Sequence, residues 1–356
     1  MEPTVAVIGA TGAVGDVFLK IAAERKLPMK KLKLLASARS KGKVLRYDGP
    51  LEGAPNGSDI VVEETTEEAL ADADIVFCSA SSEVSKQWGP WLKARGKVMI
   101  DDGSAFRMDP TVPLVIPEVN GDDLEWHEGI VSIPNCTTTP LAMALHAMRG
   151  VAPLTRVIAS TYQAVSGTGA AAVAELNAQV RAIGTGQPVP APEQYPVQIA
   201  GNVLPHVDTF DAEEDYYTKE ELKMRNETRK LLHLDALPFA ATCVRVPVAV
   251  GHAEVVHAEF ERPVEIADLV AALQAQAGVE VIADPTKYVT PLDIAGDDRA
   301  FVARLRPDRT AKNGVTFWCL TDNLRKGAAL NAIQIAEEML KRDLVFNYAK
   351  AAKAKA

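Results

Sequence analysis

Four apolar residues, Val5-Ala6-Val7-Ile8, run straight into Gly9-Ala-Thr-Gly12-Ala-Val-Gly15, after which the apolar period changes. Val14, Val17, Phe18, Ile21 and Ala22 fall at i, i+3, i+4, i+7 and i+8, one face of a helix. A buried strand, a tight glycine turn and a helix therefore open the chain. Such a turn lets backbone approach a pyrophosphate, whose charge meets the unbonded N–H groups at the helix N-terminus. Gly9, Thr11, Gly12, Ala13 and Val14 are the candidate contacts. Three glycines alone also fit a turn without a ligand; their place at the head of an alternating pattern gives them weight.

That alternation continues. Leu32 to Ala36, Ile60 to Val62, Ile75 to Cys78, Val98 to Ile100 and Ile130 to Ile133 read as further strands, and Thr65 with Glu68 as a capping box for a helix between two of them. Strand, helix, strand in repetition predicts a doubly wound parallel sheet of Rossmann type. Its second strand ends Leu34-Leu35-Ala36-Ser37-Ala38-Arg39-Ser40-Lys41. A site for NAD places a carboxylate here for the ribose 2′-OH; this chain has hydroxyls and two cations instead. Ser37, Arg39 and Ser40 suit a 2′-phosphate, hence NADP, the other reading being a solvated basic turn.

A chain of 356 residues exceeds what one core usually supports. The texture changes after Asn135, where longer β-rich runs appear: Arg156 to Val165, Thr242 to Val250 and Ala253 to Phe260. The last two meet at Gly251-His252, which suggests an antiparallel pair, with Pro247 suited to an edge or bulge. Gly184 to Pro205 is too long for an ordinary connection and reads as an excursion, a candidate subunit contact. The last clear helix spans roughly Gly327 to Arg342, and the tail KAAKAKA should fray. The expected fold class is α/β followed by α+β. A Rossmann-type doubly wound domain takes residues 1–134 with 326–356, and a second, mixed-sheet domain takes residues 135–325.

Apolar residues at 47% and charged residues at 24% place the chain among globular proteins. The net charge of −9 argues against a nucleic-acid or anionic-membrane partner, though not against a basic pocket. No apolar run reaches membrane length, and the opening residues lack a signal-peptide pattern. Cys78, Cys136, Cys243 and Cys319 are widely spaced, with no CxxC and no Cys/His metal pattern, so reduced thiols and a cytoplasmic home are expected.

One of the four stands apart. Pro134-Asn135-Cys136-Thr137-Thr138-Thr139-Pro140 follows a strand and precedes a helix whose apolar face carries Leu141, Leu145 and Met148. Pro140 suits the first helical turn. Cys136 thus lies near a helix N-terminus, where the partial positive charge favours thiolate. A buried structural role is the commoner fate of a cysteine, and the other three, each within an apolar or β run, read that way. A thiolate beside a nicotinamide has a defined use: it forms a thioester that hydride reduces to an aldehyde, or the reverse.

From end to end the chain resembles the aspartate-semialdehyde dehydrogenase family. The matching segments are VAVIGATGAVG (5–15), SARS (37–40), GSAFR (103–107), PNCTTTPL (134–141), TYQAVSGTG (161–169), EELK (220–223), NETRK (226–230), RVPVAVGH (245–252) and DNLRKGAALNA (322–332). The resemblance implies that Cys136 is the nucleophile, His252 the general acid–base and Gln163 the residue orienting substrate. It implies that Arg245 binds the substrate α-carboxylate, Glu220 its α-amino group, and Arg107, Lys223 and Asn135 the phosphate. Ser79, Ala80, Ser166, Gly167 and Asn323 join the cofactor contacts. Taken alone, His252 also fits a surface histidine, and Glu220 with Lys223, three apart on a helix capped by Thr218, an exposed salt bridge. The implied activity is NADPH-dependent reductive dephosphorylation of L-aspartyl 4-phosphate, without a metal. It would lie on the route to lysine or diaminopimelate, threonine, methionine and isoleucine. The second domain is implied to be catalytic and to dimerise, in a homodimer or homotetramer. Two departures from the family pattern are Asp102-Gly103, where it commonly has Asn-Ser, and Ser81-Ser82, where it often has Gly-Gly. Alternatives are a reductase of N-acetylglutamyl phosphate or of malonyl-CoA, or a non-catalytic NADP-binding paralogue. Recognition of both amino and carboxylate groups by Glu220 and Arg245 favours aspartyl phosphate.

Overall fold

The apolar runs of the first third become strands buried on both faces. The computed structural model describes residues 2–355; Met1 and Ala356, the outermost positions of the expected domain boundaries, lie outside the described residues. Along the first 134 positions the strands are β1 (Thr4–Ile8), β2 (Lys31–Ala36), β3 (Val44–Tyr47), β4 (Ser58–Val61), β5 (Glu63–Glu64), β6 (Ile75–Cys78), β7 (Val98–Asp101) and β8 (Ile130–Ser132). The helices between them are α1 (Ala13–Glu24), α2 (Glu67–Leu70), α3 (Ser82–Lys93) and α4 (Pro117–Asn120). Next come α5 (Thr138–Arg149), β9 (Leu154–Gln163), α6 (Ala170–Thr185), α7 (Lys219–Leu232), β10 (Phe239–Arg245) and β11 (His252–Phe260). They are followed by α8 (Ile266–Ala275), β12 (Val279–Val281), α9 (Pro291–Ile294), β13 (Ala300–Asp308) and β14 (Gly314–Thr321). A π-helical turn, Arg325–Ala329, leads into α10 (Leu330–Lys341), and α11 (Leu344–Lys355) ends the described chain. Two compact units result: residues through Pro134 together with those from Ala328 onward, and Asn135–Gly327.

In the first unit the sheet order is β5-β2-β1-β6-β7-β8, all parallel. Strand alternation divides its core. Val5, Val7, Leu34 and Ile75 face Phe18 and Ile21 of α1 and Ile333 of α10. Ala6, Ile8, Val76 and Met99 face Leu70 of α2 and Trp88 and Leu92 of α3. Helices on both faces explain why these strands read as continuous apolar runs. Ile60 to Val62 departs from the expectation. Ile60 and Val61 close β4, which pairs antiparallel with β3 in a separate hairpin. The short β5 takes the edge of the main sheet instead. The cap of α2 is Thr66, whose side chain accepts from Ala69 N–H; Thr65 hydrogen-bonds the Ala36 carbonyl. Of the tail expected to fray, the described residues continue α11 to Lys355, and Ala356 lies outside the described residues.

The second unit holds a mixed sheet, β10-β9-β11-β14-β13-β12. β10 runs parallel to β9, and β9 and β14 run antiparallel to β11. The pair expected at Gly251-His252 therefore does not form: β9 lies between β10 and β11. The chain after Arg245 leaves the sheet, and carbonyls of Val248 and Ala249 accept from Val165 and Ser166 N–H instead. β10 is an edge strand, and Pro247 lies beyond its end. On β9, Val157, Ala159, Thr161 and Gln163 are buried while Ile158, Ser160 and Tyr162 are not, so the sheet has a covered and an open face. The expected excursion starts two residues late, after α6 ends; from Gly186 to Asp211 the chain forms no helix or strand, only isolated bridges. Among the described residues no helix is long and apolar enough to cross a membrane.

Candidate active site

The thiol of Cys136 owes its position to its neighbours. Asn135 donates its backbone N–H to Glu227 Oε2 at 2.6 Å and its amide Nδ2 to Glu220 Oε1 at 3.0 Å, while its Oδ1 accepts from the N–H and hydroxyl of Thr137. The Asn135 carbonyl then accepts the first bond of α5, from Thr139 N–H. Cys136 is thereby fixed, half-buried, one residue before the cap of α5. Gly327 lies directly against it: a Cβ there would come within 2.9 Å of the Cys136 Cβ.

Glu220, in the first turn of α7, gathers the surroundings. Its Oε1 also accepts from Gln163 Nε2 at 3.0 Å, and its Oε2 from Lys223 Nζ at 3.1 Å. Burial pushes this carboxyl up, but the Lys223 charge and the hydrogen bonds from Gln163, Lys223 and Asn135 outweigh it and hold the group below its ordinary range. A carboxylate accepts about four hydrogen bonds, so three donors leave Glu220 one more. Lys223 also donates to Asp208 at 2.8 Å, leaving one of its three N–H bonds uncommitted. Burial disfavours its ammonium, yet Glu220 and Asp208 raise its pKa overall. Thr161 Oγ1 donates to Gln163 Oε1 at 3.0 Å, so both ends of that amide are set.

Arg245 lies beside Gln163 in register, and Ala164 ties Arg245 to His252. The Ala164 carbonyl accepts from Arg245 Nη1 at 2.6 Å, and its N–H donates to His252 Nδ1 at 3.0 Å. With Nδ1 an acceptor, neutral His252 carries its proton on Nε2, an atom that is buried without a protein partner. Burial and then the Arg245 charge push this imidazole down to about 3. Both tips converge on Gly167, where a Cβ would stand 3.0 Å from His252 Nε2 and 3.2 Å from Arg245 Nη1. Beside them Asn323 donates to Ser166 Oγ at 3.0 Å and accepts from Gly251 N–H at 2.9 Å. The second unit thus brings together Cys136, Asn135, Gln163, Glu220, Lys223, Arg245, His252, Ser166, Gly167 and Asn323. Sequence reading missed two participants. Glu227 is seven residues, two helical turns, beyond Glu220 and so on the same face, a spacing that could have revealed it. Ala164 works through its backbone and leaves no side-chain signal.

In the first unit, the glycines form the cradle expected for a dinucleotide. Gly9 has φ +87°, and a Cβ there would meet the Ser79 carbonyl at 2.0 Å; one on Gly15 would meet the Ala10 carbonyl at 2.6 Å. Gly12 caps α1, leaving Ala13 and Val14 as its first residues. Ser37, Arg39 and Ser40 lie on a 3-10 turn at the end of β2, and Thr11 Oγ1 reaches Ser40 Oγ at 3.3 Å, joining the two loops. These residues fit a dinucleotide with an anionic group at the ribose. Arg107 is buried and donates to the Asp102 carbonyl at 2.7 Å. Both departures from the family pattern sit in this unit: Asp102 accepts from Ser79 Oγ at 3.0 Å, and Ser82 shares a hydroxyl contact with Ser104 at 3.2 Å. Asp102 therefore braces the loop end that carries Ser79 and Ala80.

Comparison with known proteins agrees over nearly the whole length. The family model described as semialdehyde dehydrogenase, NAD binding domain, matches residues 4–127, and that described as semialdehyde dehydrogenase, dimerisation domain, matches residues 145–326. An aspartate-semialdehyde dehydrogenase of Aquifex aeolicus is 43% identical, covering 96% of this chain and 99% of its own. One from Bacillus subtilis is 42% identical, covering 96% and 98%. Among solved structures, aspartate semialdehyde dehydrogenase II from Vibrio cholerae, complexed with ASA, superposes with a TM-score of 0.90 at 37% identity. It covers 96% of this chain and 99% of that one.

Proposed function

This chain belongs to the aspartate-semialdehyde dehydrogenase family, and we propose that it converts L-aspartyl 4-phosphate to L-aspartate 4-semialdehyde and phosphate at the expense of NADPH. The observation that carries this reading is the linked set around Cys136. Its neighbour Asn135 and the Gln163 amide share one oxygen of Glu220, and the next residue, Ala164, holds Arg245 and His252. The remaining donors of Arg245 grip the α-carboxylate, and the remaining acceptor site of Glu220 takes the α-ammonium. Cys136 thiolate attacks the acyl carbon, a C–S bond forms, and phosphate leaves toward the cation Lys223. A bound nicotinamide cofactor supplies the hydride in this direction and accepts it in reverse. His252 Nε2–H donates a hydrogen bond to the oxyanion on the Cys136 adduct, stabilising it until it collapses to aldehyde and thiolate. The N-acetylglutamyl-phosphate, malonyl-CoA and non-catalytic readings are not favoured, since the relatives compared carry the aspartate-semialdehyde name.

The direct test runs in reverse. With L-aspartate 4-semialdehyde, inorganic phosphate and NADP, absorbance at the reduced nicotinamide band is expected to rise, and to stay flat when phosphate is omitted. No reduction under the complete conditions overturns the assignment.

Ser37, Arg39 and Ser40, with no carboxylate at the end of β2, support NADP as the cofactor. Arg39→Ala is expected to lower kcat/KM for NADP by about ten- to a hundredfold, the range of a charge-assisted hydrogen bond of about 1.5–3 kcal/mol, and to leave NAD nearly unaffected. Steady-state constants with both cofactors decide it; equal losses, or a wild type preferring NAD, count against NADP. The open sheet face, where the Tyr162 and Trp318 rings meet at a tilt with centroids 5.6 Å apart, supports assembly into a homodimer, itself able to pair into a homotetramer. None of the four cysteines forms a disulfide, which supports work in the cytoplasm on small-molecule substrates.

A further inference from the structure

Tyr195 stands on the long segment between α6 and α7, and its ring lies 6.0 Å from the guanidinium carbon of Arg245. Its hydroxyl donates to Thr168 Oγ1 at 2.9 Å, which anchors the ring to the turn carrying Ser166 and Gly167. Two further ties hold the segment in place. Leu204 and Arg245 exchange both backbone hydrogen bonds, each 2.9 Å. Nearer the ring, Glu175 Oε2 accepts from the N–H groups of Glu193 and Gln194, both at 2.7 Å, fixing the residues just before Tyr195. Apolar contact with the Val165, Leu176 and Ile199 cluster fills the space behind. The same excursion therefore holds Arg245 by its backbone and covers one side of its side chain.

A guanidinium is weakly hydrated on its faces and carries all its donors on its edge. An aromatic ring over one face leaves that edge open and resists rotation of the plane. Nη1 is already committed to the Ala164 carbonyl, so the direction of the remaining donors depends on what holds the plane. We propose that Tyr195 is a positioning residue for the substrate carboxylate, acting through Arg245, and that the 186–205 segment is a specificity element of the site. This rests on the reading of Arg245 as the carboxylate ligand.

The test uses the whole enzyme with L-aspartate 4-semialdehyde and with 3-aminopropanal, the same aldehyde lacking the carboxylate. Tyr195→Leu is expected to raise KM for aspartate semialdehyde by roughly 3- to 30-fold, the range of a lost cation–π contact. Saturated kcat and the KM values for phosphate and NADP should stay put, and Tyr195→Phe, which keeps the ring, should stay near wild type. Constants for 3-aminopropanal should not move, so the preference for the carboxylate narrows. Should Tyr195→Leu fail to fold, Tyr195→Met fills similar volume without a ring and is read in the same way. A wild type that discriminates strongly, with no shift in the ringless variants, overturns this inference alone. A uniform loss across kcat and all three KM values assigns Tyr195 to the scaffold and also overturns it. A wild type that treats both aldehydes alike removes the carboxylate role of Arg245, and this inference with it.

Discussion

Cys136→Ala is expected to reduce turnover to background in both directions and to abolish the acyl-enzyme. The attacking atom is gone, and no other thiol can replace it. Burial pushes the Cys78 thiol up to about 12, and burial with nearby carboxylates raises Cys243 and Cys319 well above the ordinary thiol range. These three are inert at neutral pH because the thiolate is the nucleophile. Cys136→Ser should lose nearly as much, since a serine hydroxyl is far less acidic and far less nucleophilic than a thiol. Alkylation followed by peptide mapping checks the assignment without relying on turnover. Wild type should label at Cys136, substrate should protect it, and the other three should react slowly. Substantial activity in Cys136→Ala would falsify the mechanism, and substrate-protected labelling at Cys243 would move the nucleophile to β10.

The candidacy of Cys136 was legible in the sequence because its setting is local chemistry. A strand, an Asn-Cys-Thr turn and a proline in the first helical turn are all read between Ile130 and Pro140. The parallel sheet was legible for a similar reason: strands covered on both faces read as near-continuous apolar runs, interrupted in β2 by Lys33, whose ammonium reaches Asp72. Pairing in the second unit was not. Thr242 to Val250 and Ala253 to Phe260 are neighbours in sequence, but β9, some eighty residues earlier, lies between their strands. Local periodicity says which residues face inward, as it did for Gln163, and nothing about which strand fills the next place. The hairpin of β3 and β4 was lost differently. Its alternating half-exposed residues give Ile60 and Val61 an apolar look that a two-stranded ribbon satisfies as well as a sheet edge.

The site shows the same division. Residue types that carry charge or a nucleophile could be matched to family motifs one by one. Their coupling could not, because it runs through shared atoms: one Glu220 oxygen taking two amides, and one Ala164 peptide holding an arginine and a histidine. Glycines added a second kind of hidden information. Gly167 and Gly327 matter for the side chain they lack, since a methyl group at either would press on His252 or on Cys136. The excursion after Gly186 was visible only as an unusually long connection, whereas the structure makes it the support of Arg245.

His252→Ala is expected to cost about 10²–10⁴ in kcat, the usual contribution of a positioned acid–base group, while leaving Cys136 open to alkylation and substrate protection. The free enzyme sets a particular starting state for this residue. Its imidazole lies at about 3, first from burial and then from the Arg245 charge, so at neutral pH it is an uncharged donor through Nε2. Stability follows with a definite sign. As pH falls from about 6.5 toward 3, the unfolded chain takes up a proton that the folded imidazole refuses, so this group destabilises the fold across that window. Above 6.5 both states are neutral and the contribution vanishes. Substrate changes the balance. A carboxylate on Arg245 cancels the second cause of the depression, so the His252 pKa should rise when a substrate or product bearing that group binds. NMR titration of the labelled ring, with and without aspartate semialdehyde in the inactive Cys136→Ala background, measures both values. A free-enzyme pKa near 6.5 contradicts the buried state, and an unmoved value in the complex breaks the coupling between Arg245 and His252. Wild-type kcat in His252→Ala removes the residue from the chemistry altogether.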